Sequence, residues 1–184
     1  MSPTVPATIE PERAADAAAV RAVVSAAFVD HPVVADLVEL IRASPEYLPE
    51  LALVARVSGA VVGFMMLSHA GLMSDSGERH QILTLSPLAV DPAFQRSGIG
   101  SALARAGLEA AERLGEPLVV LEGSPRYYPR FGFVDCRELG ISIPLPDWAP
   151  PEAGMAYPLP GYHPRLRGRV VYPPAFIETG TGHS

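Results

Sequence analysis

Cysteine is nearly absent from this chain, since Cys136 is the single one among 184 residues. A lone cysteine excludes an intramolecular disulfide, and it excludes the Cys-x-x-Cys pairs of structural zinc sites and thiol redox centres. The five histidines show neither the His-x-His nor the His-Glu-x-x-His spacing that is typical of metal sites. We therefore predict that the protein holds no metal.

Basic residues and long apolar runs are scarce as well. Lysine and arginine together number 14 against 20 aspartates and glutamates, which gives a formal net charge of −6. Nucleic-acid binding needs clustered basic side chains, so we predict no nucleic-acid partner. The apolar run from Ala60 to Leu67 is too short to span a bilayer, and residues 1–10 lack the layout of a signal peptide. We expect a cytoplasmic protein without a membrane partner, and the composition leaves a homodimer open.

Length and apolar content set the expected organisation. With 184 residues, 48% of them apolar, the chain can bury one good core. We predict an N-terminal tail over residues 1–6, one folded domain over 7–143 and a proline-rich extension over 144–184. The extension carries large apolar residues, among them Trp148 and Phe176, that we expect to anchor it against the domain.

The spacing of apolar residues predicts a mixed α/β (α+β) chain. Helical spacing is found over 17–28, 34–43 and 99–114, and strand-like runs are found over 51–57, 60–67, 82–90 and 118–121. We expect the Asp16 side chain to cap the first helix, and we expect a polar connection over 71–79. A strand, a long helix and a strand in succession predict a parallel pair with a right-handed crossover.

The segment from Leu88 to Leu103 is the most informative part of the sequence. An apolar strand ends at Asp91, a glycine-bearing turn follows, and a helix begins near Gly98. The N-terminus of a helix has unpaired N–H groups and a favourable dipole, so an anion such as a pyrophosphate can bind there. The segment is not a P-loop, because no lysine follows Gly100, and Leu103 stands where a dinucleotide fingerprint needs a small residue.

The letters Gln95-Arg96-Ser97-Gly98-Ile99-Gly100 follow the pattern Gln/Arg-x-x-Gly-x-Gly/Ala. This pattern resembles the acetyl-CoA loop of the GCN5-related N-acetyltransferase (GNAT) superfamily. A second segment, Tyr127 to Phe133, resembles the Tyr-x-x-x-Gly-Phe motif of the same superfamily. Its form Tyr-Tyr-Pro-Arg-Phe-Gly-Phe, with a late Tyr172-Pro-Pro-Ala-Phe176, is similar to one branch of small bacterial acetyltransferases.

The resemblance implies a GNAT-type fold, in which a mostly antiparallel sheet has one splayed parallel pair and flanking helices. Pro87 agrees with a splayed strand, because proline removes a ladder donor and is tolerated only at an edge or a bulge. An ordinary edge bulge is the alternative. The resemblance also implies that acetyl-CoA is the co-substrate, bound by two groups of residues. These are the strand residues Leu88, Ala89 and Val90 and the loop residues Gln95, Arg96, Ser97, Gly98, Ile99, Gly100 and Ser101.

Two residues are the candidate catalytic groups. The motif places Tyr128 where the superfamily usually has the proton donor to the departing CoA thiolate, whereas Tyr127 falls on a packing position. The acceptor amine needs a group that removes a proton from it. An alkylammonium of pKa about 10.4 is neutral in only about one molecule in 2,500 at pH 7. We predict Glu122 as the proton acceptor, since this branch usually has an apolar residue there. The alternatives are Asp30, His31, His69 and His163.

Three functions remain open at this stage. The first is an N-acetyltransferase that moves an acetyl group to an amine of a small molecule or peptide by direct attack on the thioester. The second is a catalytically inactive acyl-CoA-binding module, and the third is a nucleotide binder that uses no CoA. The sequence does not identify the acceptor, because specificity would lie in loops and in the extension over 144–184, which we expect to cover the acceptor side of the site.

Overall fold

Runs of β-branched and apolar residues form the strands of a mixed sheet, and amphipathic segments form the helices. The computed structural model describes residues 6–183. Its strands are β1 (Thr8–Pro11), β2 (Ala52–Val57), β3 (Ala60–Met73), β4 (Arg79–Val90), β5 (Leu118–Glu122), β6 (Val134–Asp135), β7 (Ile141–Ser142), β8 (Gly154–Pro158) and β9 (Gly168–Val171). Its α-helices are α1 (Ala17–Ala27), α2 (Val33–Arg42), α3 (Ile99–Arg113) and α4 (Pro174–Glu178). Within these residues no helix has the length and apolarity needed to cross a bilayer.

The first of two compact units contains the described residues up to Leu67 together with Ser86–Ala110. Its antiparallel strands follow the order β1-β2-β3-β4, and the β2–β3 hairpin turns at Ser58 and Gly59, which both have positive φ. Helices α1 and α2 bury one apolar face each. The Arg42 side chain fixes the end of α2 by a two-point ion pair with Glu12, in which Nε lies 3.0 Å from Oε1.

Glycines set how closely α3 lies on β3 in this unit. A Cβ at Gly63 would lie 3.0 Å from Leu103 and 3.1 Å from Ile99, and a Cβ at Gly107 would lie 2.5 Å from the Met65 side chain. These short distances show that α3 packs closely on the strand at both glycines. This packing fixes the position of the helix N-terminus.

The second unit contains Ser68–Leu85 and the described residues from Ala111 onward. Strand β4 pairs in parallel with β5 at Leu83↔Val119 and Thr84↔Val120. The remaining strands of this unit follow β5 in the order β8-β6, and β9 pairs antiparallel with β3 and parallel with β7.

The predicted fold class is confirmed, but four local expectations are wrong. Asp16 does not cap α1 with its side chain, because its carboxylate accepts from the Arg13 N–H and pairs with Arg56. The connection expected over 71–79 is shorter, since β3 runs to Met73 and β4 begins at Arg79.

Two further expectations fail in the proline-rich segment. Trp148 is 80% exposed and anchors nothing, whereas Phe176 is 2% exposed as expected. Sequence periodicity also found no strand after residue 143, where the structure has β8 and β9. The proposed boundaries at residues 6 and 143 remain predictions, and residues 1–5 and 184 lie outside the described part of the chain.

Candidate active site

A tight turn leads from β4 into α3 in the first unit. The Asp91 carboxylate accepts the Ala93 N–H at 2.8 Å and so begins a short 3-10 turn. Arg96 then has a φ of +60° and Gly98 a φ of +90°. Residues with a Cβ avoid such angles, so Gly98 is what allows the chain to turn directly into the helix.

The N-terminus of α3 presents a row of backbone donors. The Ala102 N–H bonds back to the Gly98 carbonyl at 3.0 Å. Ahead of it come the N–H groups of Ile99, Gly100 and Ser101, which helix geometry leaves without a carbonyl of the same helix. Because α3 is long and its dipole places partial positive charge at this end, the geometry suits an anionic ligand.

The polar side chains of the loop mainly support the loop itself. The Gln95 amide donates to the Val90 carbonyl at 3.2 Å, and the Ser97 hydroxyl donates to the Phe94 carbonyl. Arg96 is exposed. Gln95 therefore stabilises the turn, and it is mainly the backbone N–H groups that would suit an anion.

Leu88, Ala89 and Val90 are the last residues of β4 and lie in the same unit as the loop. Ala89 is 1% exposed, while Leu88 and Val90 are half-buried. The Asp91 N–H continues the pairing with β3 by donating to the Val62 carbonyl at 2.9 Å. The backbone before the loop is thus held on its β3 side.

Tyr128 lies in the second unit, on a one-turn 3-10 helix that Gly132 ends with a φ of +101°. Its ring makes edge contacts with Tyr127 and Phe133, with centroids 5.1 and 5.6 Å away. The ring also lies directly on Gly123, where a Cβ would be 2.5 Å from Tyr128 Cε2. Gly123 is therefore required for this placement of the ring.

The environment of Tyr128 favours the protonated phenol. Burial, with a smaller contribution from Tyr127, raises the pKa of Tyr128 above the usual tyrosine range. Tyr127 instead carries the Arg130 guanidinium 4.5 Å above its ring. These observations suit Tyr128 to donate a proton and Tyr127 to pack.

Glu122 is the last residue of β5 and is half-buried. Its cross-strand partner on β8 is Gly154, which places no side chain beside the carboxylate. Burial raises the pKa of Glu122, and the charge of His183 opposes that rise. A carboxylate with a raised pKa is a better proton acceptor than an ordinary surface glutamate.

Glu122 and Tyr128 lie on opposite faces of the end of β5. Side chains alternate between the two faces of a strand. The Cβ position of Gly123 lies 3.0 Å from Leu121 Cδ1 and against the Tyr128 ring, so Tyr128 occupies the Leu121 face. Glu122, between these two residues in sequence, points to the other face. The Tyr128 phenol and the Glu122 carboxylate thus lie on the two sides of one strand end.

The other candidate proton acceptors are placed differently. Asp30 and His31 are exposed in the connection between α1 and α2, and His163 is exposed in the loop before β9. His69 Nε2 lies 2.9 Å from Glu116 Oε1, so this ring is engaged in a hydrogen bond. Within residues 6–183 no group of three or more His, Cys, Asp or Glu side chains is placed to hold a metal ion.

Sequence reasoning missed two residues of this neighbourhood, Tyr172 and His183. The pKa of Tyr172 is raised by burial and by the negative charge of Glu122, and His183 acts on the same carboxylate. Both residues lie far along the chain from Glu122. No local spacing connects them to it, and only the course of the chain through β8, β9 and α4 brings them to the end of β5.

Comparison with known proteins identifies the class first. The structure matches that of an N-acetyltransferase, YhbS from Escherichia coli in complex with CoA, with a TM-score of 0.83 and 27% identity over 96% of this chain and 95% of that one. It also matches a GNAT family acetyltransferase from Brucella melitensis in complex with acetyl-CoA, with a TM-score of 0.75 and 30% identity over 94% of this chain and 99% of that one. The fold is therefore that of the N-acetyltransferases.

The family follows from the sequence comparisons. The model of the Acetyltransferase (GNAT) family matches residues 21–133, and the chain belongs to that family. An uncharacterized N-acetyltransferase of Escherichia coli, YjhQ, is 36% identical over 115 residues, which are 61% of this chain and 62% of that protein. The match thus spans less than two thirds of the length of this curated relative.

Proposed function

We propose that the protein transfers an acetyl group from acetyl-CoA to the amine of a small molecule or peptide in the cytoplasm. The single observation that carries this proposal is the placement of Tyr128 and Glu122 on opposite faces of the end of β5. Direct transfer needs a proton donor toward the leaving sulfur and a proton acceptor toward the attacking nitrogen. One strand end offers both groups.

The loop is the proposed binding site for the phosphates of CoA. The N–H groups at the start of α3, with the turn made by Gly98, form a backbone cradle of the kind that holds phosphates elsewhere. We assign the pyrophosphate to Gln95 through Ser101 and the pantetheine arm to Leu88, Ala89 and Val90. Support comes from the motif and from the CoA and acetyl-CoA complexes of the two similar structures.

The proposed chemistry of this chain is proton transfer on two sides of one carbonyl. When bound, acetyl-CoA supplies an acetyl group activated as a thioester. The Glu122 carboxylate takes one proton from the acceptor nitrogen as the carbon–nitrogen bond forms. The Tyr128 hydroxyl gives one proton to the sulfur as the carbon–sulfur bond breaks, so that charge and atoms balance. The raised pKa of Tyr128 means that the phenol still carries this proton before the transfer.

Two measurements test the proposal. In a thermal-shift assay CoA and acetyl-CoA should raise the melting temperature, since a ligand at about 100 times its Kd stabilises by about 2.7 kcal/mol. ATP and NAD should not, and stabilisation by either one instead would identify a nucleotide binder. Release of free CoA thiol in the presence of an amine panel then separates an enzyme from a binding module. Stabilisation by CoA without thiol release would support the inactive module.

A further inference from the structure

Arg130 is held in place by contacts within its own short helix. Its Nε–H donates to the Tyr127 carbonyl at 2.9 Å, and its guanidinium carbon lies 4.5 Å from the centroid of the Tyr127 ring. The hydrogen bond and the cation–π contact together fix the direction of the guanidinium. Arg130 is nevertheless exposed, so this oriented group is accessible from solvent.

The positive charge of Arg130 is not balanced by a carboxylate. Within residues 6–183 no ion pair includes Arg130. The sequence has no acidic residue between Glu122 and Asp135. By contrast, Arg42 and Arg137 are also fixed by several contacts, and each of them holds a carboxylate by two nitrogens. Arg130 is therefore an oriented cation whose counter-ion is missing from the described part of the chain.

The outer edge of this guanidinium matches an oxyanion. Arginine has five N–H donors, and the Tyr127 carbonyl uses the one on Nε, which leaves the Nη1 and Nη2 groups for another partner. These two nitrogens can donate in parallel to two oxygens of a carboxylate or a phosphate. Because the guanidinium is already oriented, little side-chain freedom is lost when an anion binds. Arg126, which is exposed on the same segment, adds a second positive charge.

We propose that Arg130 is a substrate-binding residue that receives a phosphate or carboxylate group. This inference rests on the proposed function. The Tyr127 ring, which carries the Arg130 guanidinium, makes an edge contact with the Tyr128 ring at 5.1 Å between centroids. The bound anion would thus belong to a molecule that reaches the candidate proton donor. Two molecules qualify, namely CoA, which has a phosphate on its ribose, and an amine acceptor with an acidic group.

The test uses Arg130→Met, which keeps an unbranched apolar side chain and removes the charge. If the anion is the ribose phosphate, calorimetry should show that wild type binds CoA about 10-fold more tightly than dephospho-CoA, and that the variant binds both equally. If the anion belongs to the acceptor, the variant should raise KM about 10-fold for amines with a free carboxyl group and leave KM unchanged for the same amines with that group amidated. Arg113→Met removes another exposed arginine of the second unit and should match wild type in both measurements.

Arg130→Lys keeps the charge without the oriented pair of donors, so it should also lose most of the preference for the anionic ligand. Full retention of that preference in Arg130→Lys would contradict the role of the fixed geometry. Wild-type behaviour of folded Arg130→Met in both measurements overturns the inference. If no amine releases thiol, the proposed acetyl transfer is contradicted, and the calorimetric comparison of CoA with dephospho-CoA then decides the inference on its own.

Discussion

The loop over 95–101 and the end of β5 are built on different principles. The loop is exposed at Gln95, Arg96 and Gly98, and its main features are backbone N–H groups and a glycine at positive φ. The end of β5 relies on side chains, namely the Glu122 carboxylate and the Tyr128 phenol, whose pKa values are both raised by burial. The loop is formed by residues that are contiguous in sequence. The end of β5 depends on packing with segments that are distant in sequence.

This difference separates binding from chemistry. A backbone cradle holds an anion without using any particular side chain, so changes there should affect affinity for CoA and leave proton transfer alone. Changes at the end of β5 should do the opposite. A change in the loop that lowers kcat alone, or a change at the end of β5 that lowers CoA affinity alone, would contradict this separation.

The largest effect is expected from Gly100→Glu. The new carboxylate stands in the first turn of α3, where the backbone donors would meet phosphates, so it adds both bulk and a like charge. We expect CoA affinity to fall by about 100-fold or more, as measured by calorimetry. Ala22→Glu adds the same charge at an exposed position of α1 and serves as the control. Equal CoA affinity in folded Gly100→Glu and wild type would remove the loop from the binding site.

Tyr128→Phe should lower the rate of the chemical step. The ring and its contacts with Phe133 remain, and only the hydroxyl is lost. We expect kcat to fall by about 10²-fold to 10⁴-fold with little change in CoA affinity. Tyr127→Phe is the matched control and should retain wild-type kcat. An equal loss in both variants would mean that the proton donor has been misassigned.

Gly123→Ala should also lower kcat, in this case by displacing the Tyr128 ring. The added methyl would lie 2.5 Å from Tyr128 Cε2, so the ring must shift while the hydroxyl is kept. We expect kcat to fall by about 10-fold to 100-fold, because small misplacements of a catalytic group are costly. Gly161→Ala, whose Cβ would have ordinary contacts at 3.5 Å, should have no effect. Loss of CoA affinity in Gly123→Ala, without loss of kcat, would break the separation between the two regions.

The smallest expected effect is the change in stability caused by Glu122→Gln. This variant should become more stable than wild type at high pH although its activity is lower. The pKa of Glu122 is raised in the folded state, so its protonated form is favoured there and this stability is lost as pH rises through the folded pKa. Glu122→Gln removes that loss. In urea unfolding, the free energy of unfolding of Glu122→Gln should increase relative to that of wild type as pH rises from 4 to 8. The kcat of the variant should be lower than that of wild type. A variant that loses stability relative to wild type over this range would show that the carboxylate serves the fold.

The sequence predicted most of the scaffold for clear physical reasons. Helices and strands with one apolar face can be recognised from the spacing of their apolar residues. The succession from β4 through α3 to β5 predicts a parallel pair of strands. The loop over 95–101 was equally visible, since its residues are contiguous. Tyr128 and Glu122 were found by motif and by departure from a related pattern, and their roles stay predictions.

What the sequence could not predict depends on distant partners. Strand β8 forms only because β5 and β6 flank it, and its few residues among prolines carry no period of their own. Asp16 prefers Arg56 to its own helix because that arginine arrives from β2. Trp148 is as apolar as Phe176, yet the first is exposed and the second buried, and no local property distinguishes them.

The most direct test of the central claim, that backbone amides of the loop bind CoA, is an amide NMR titration of the labelled protein with CoA. The account predicts that the largest shifts fall on the N–H groups of Gly98, Ile99, Gly100 and Ser101, with saturation at the calorimetric Kd. Shifts confined to other segments, or none at all at concentrations of CoA that raise the melting temperature, would contradict it.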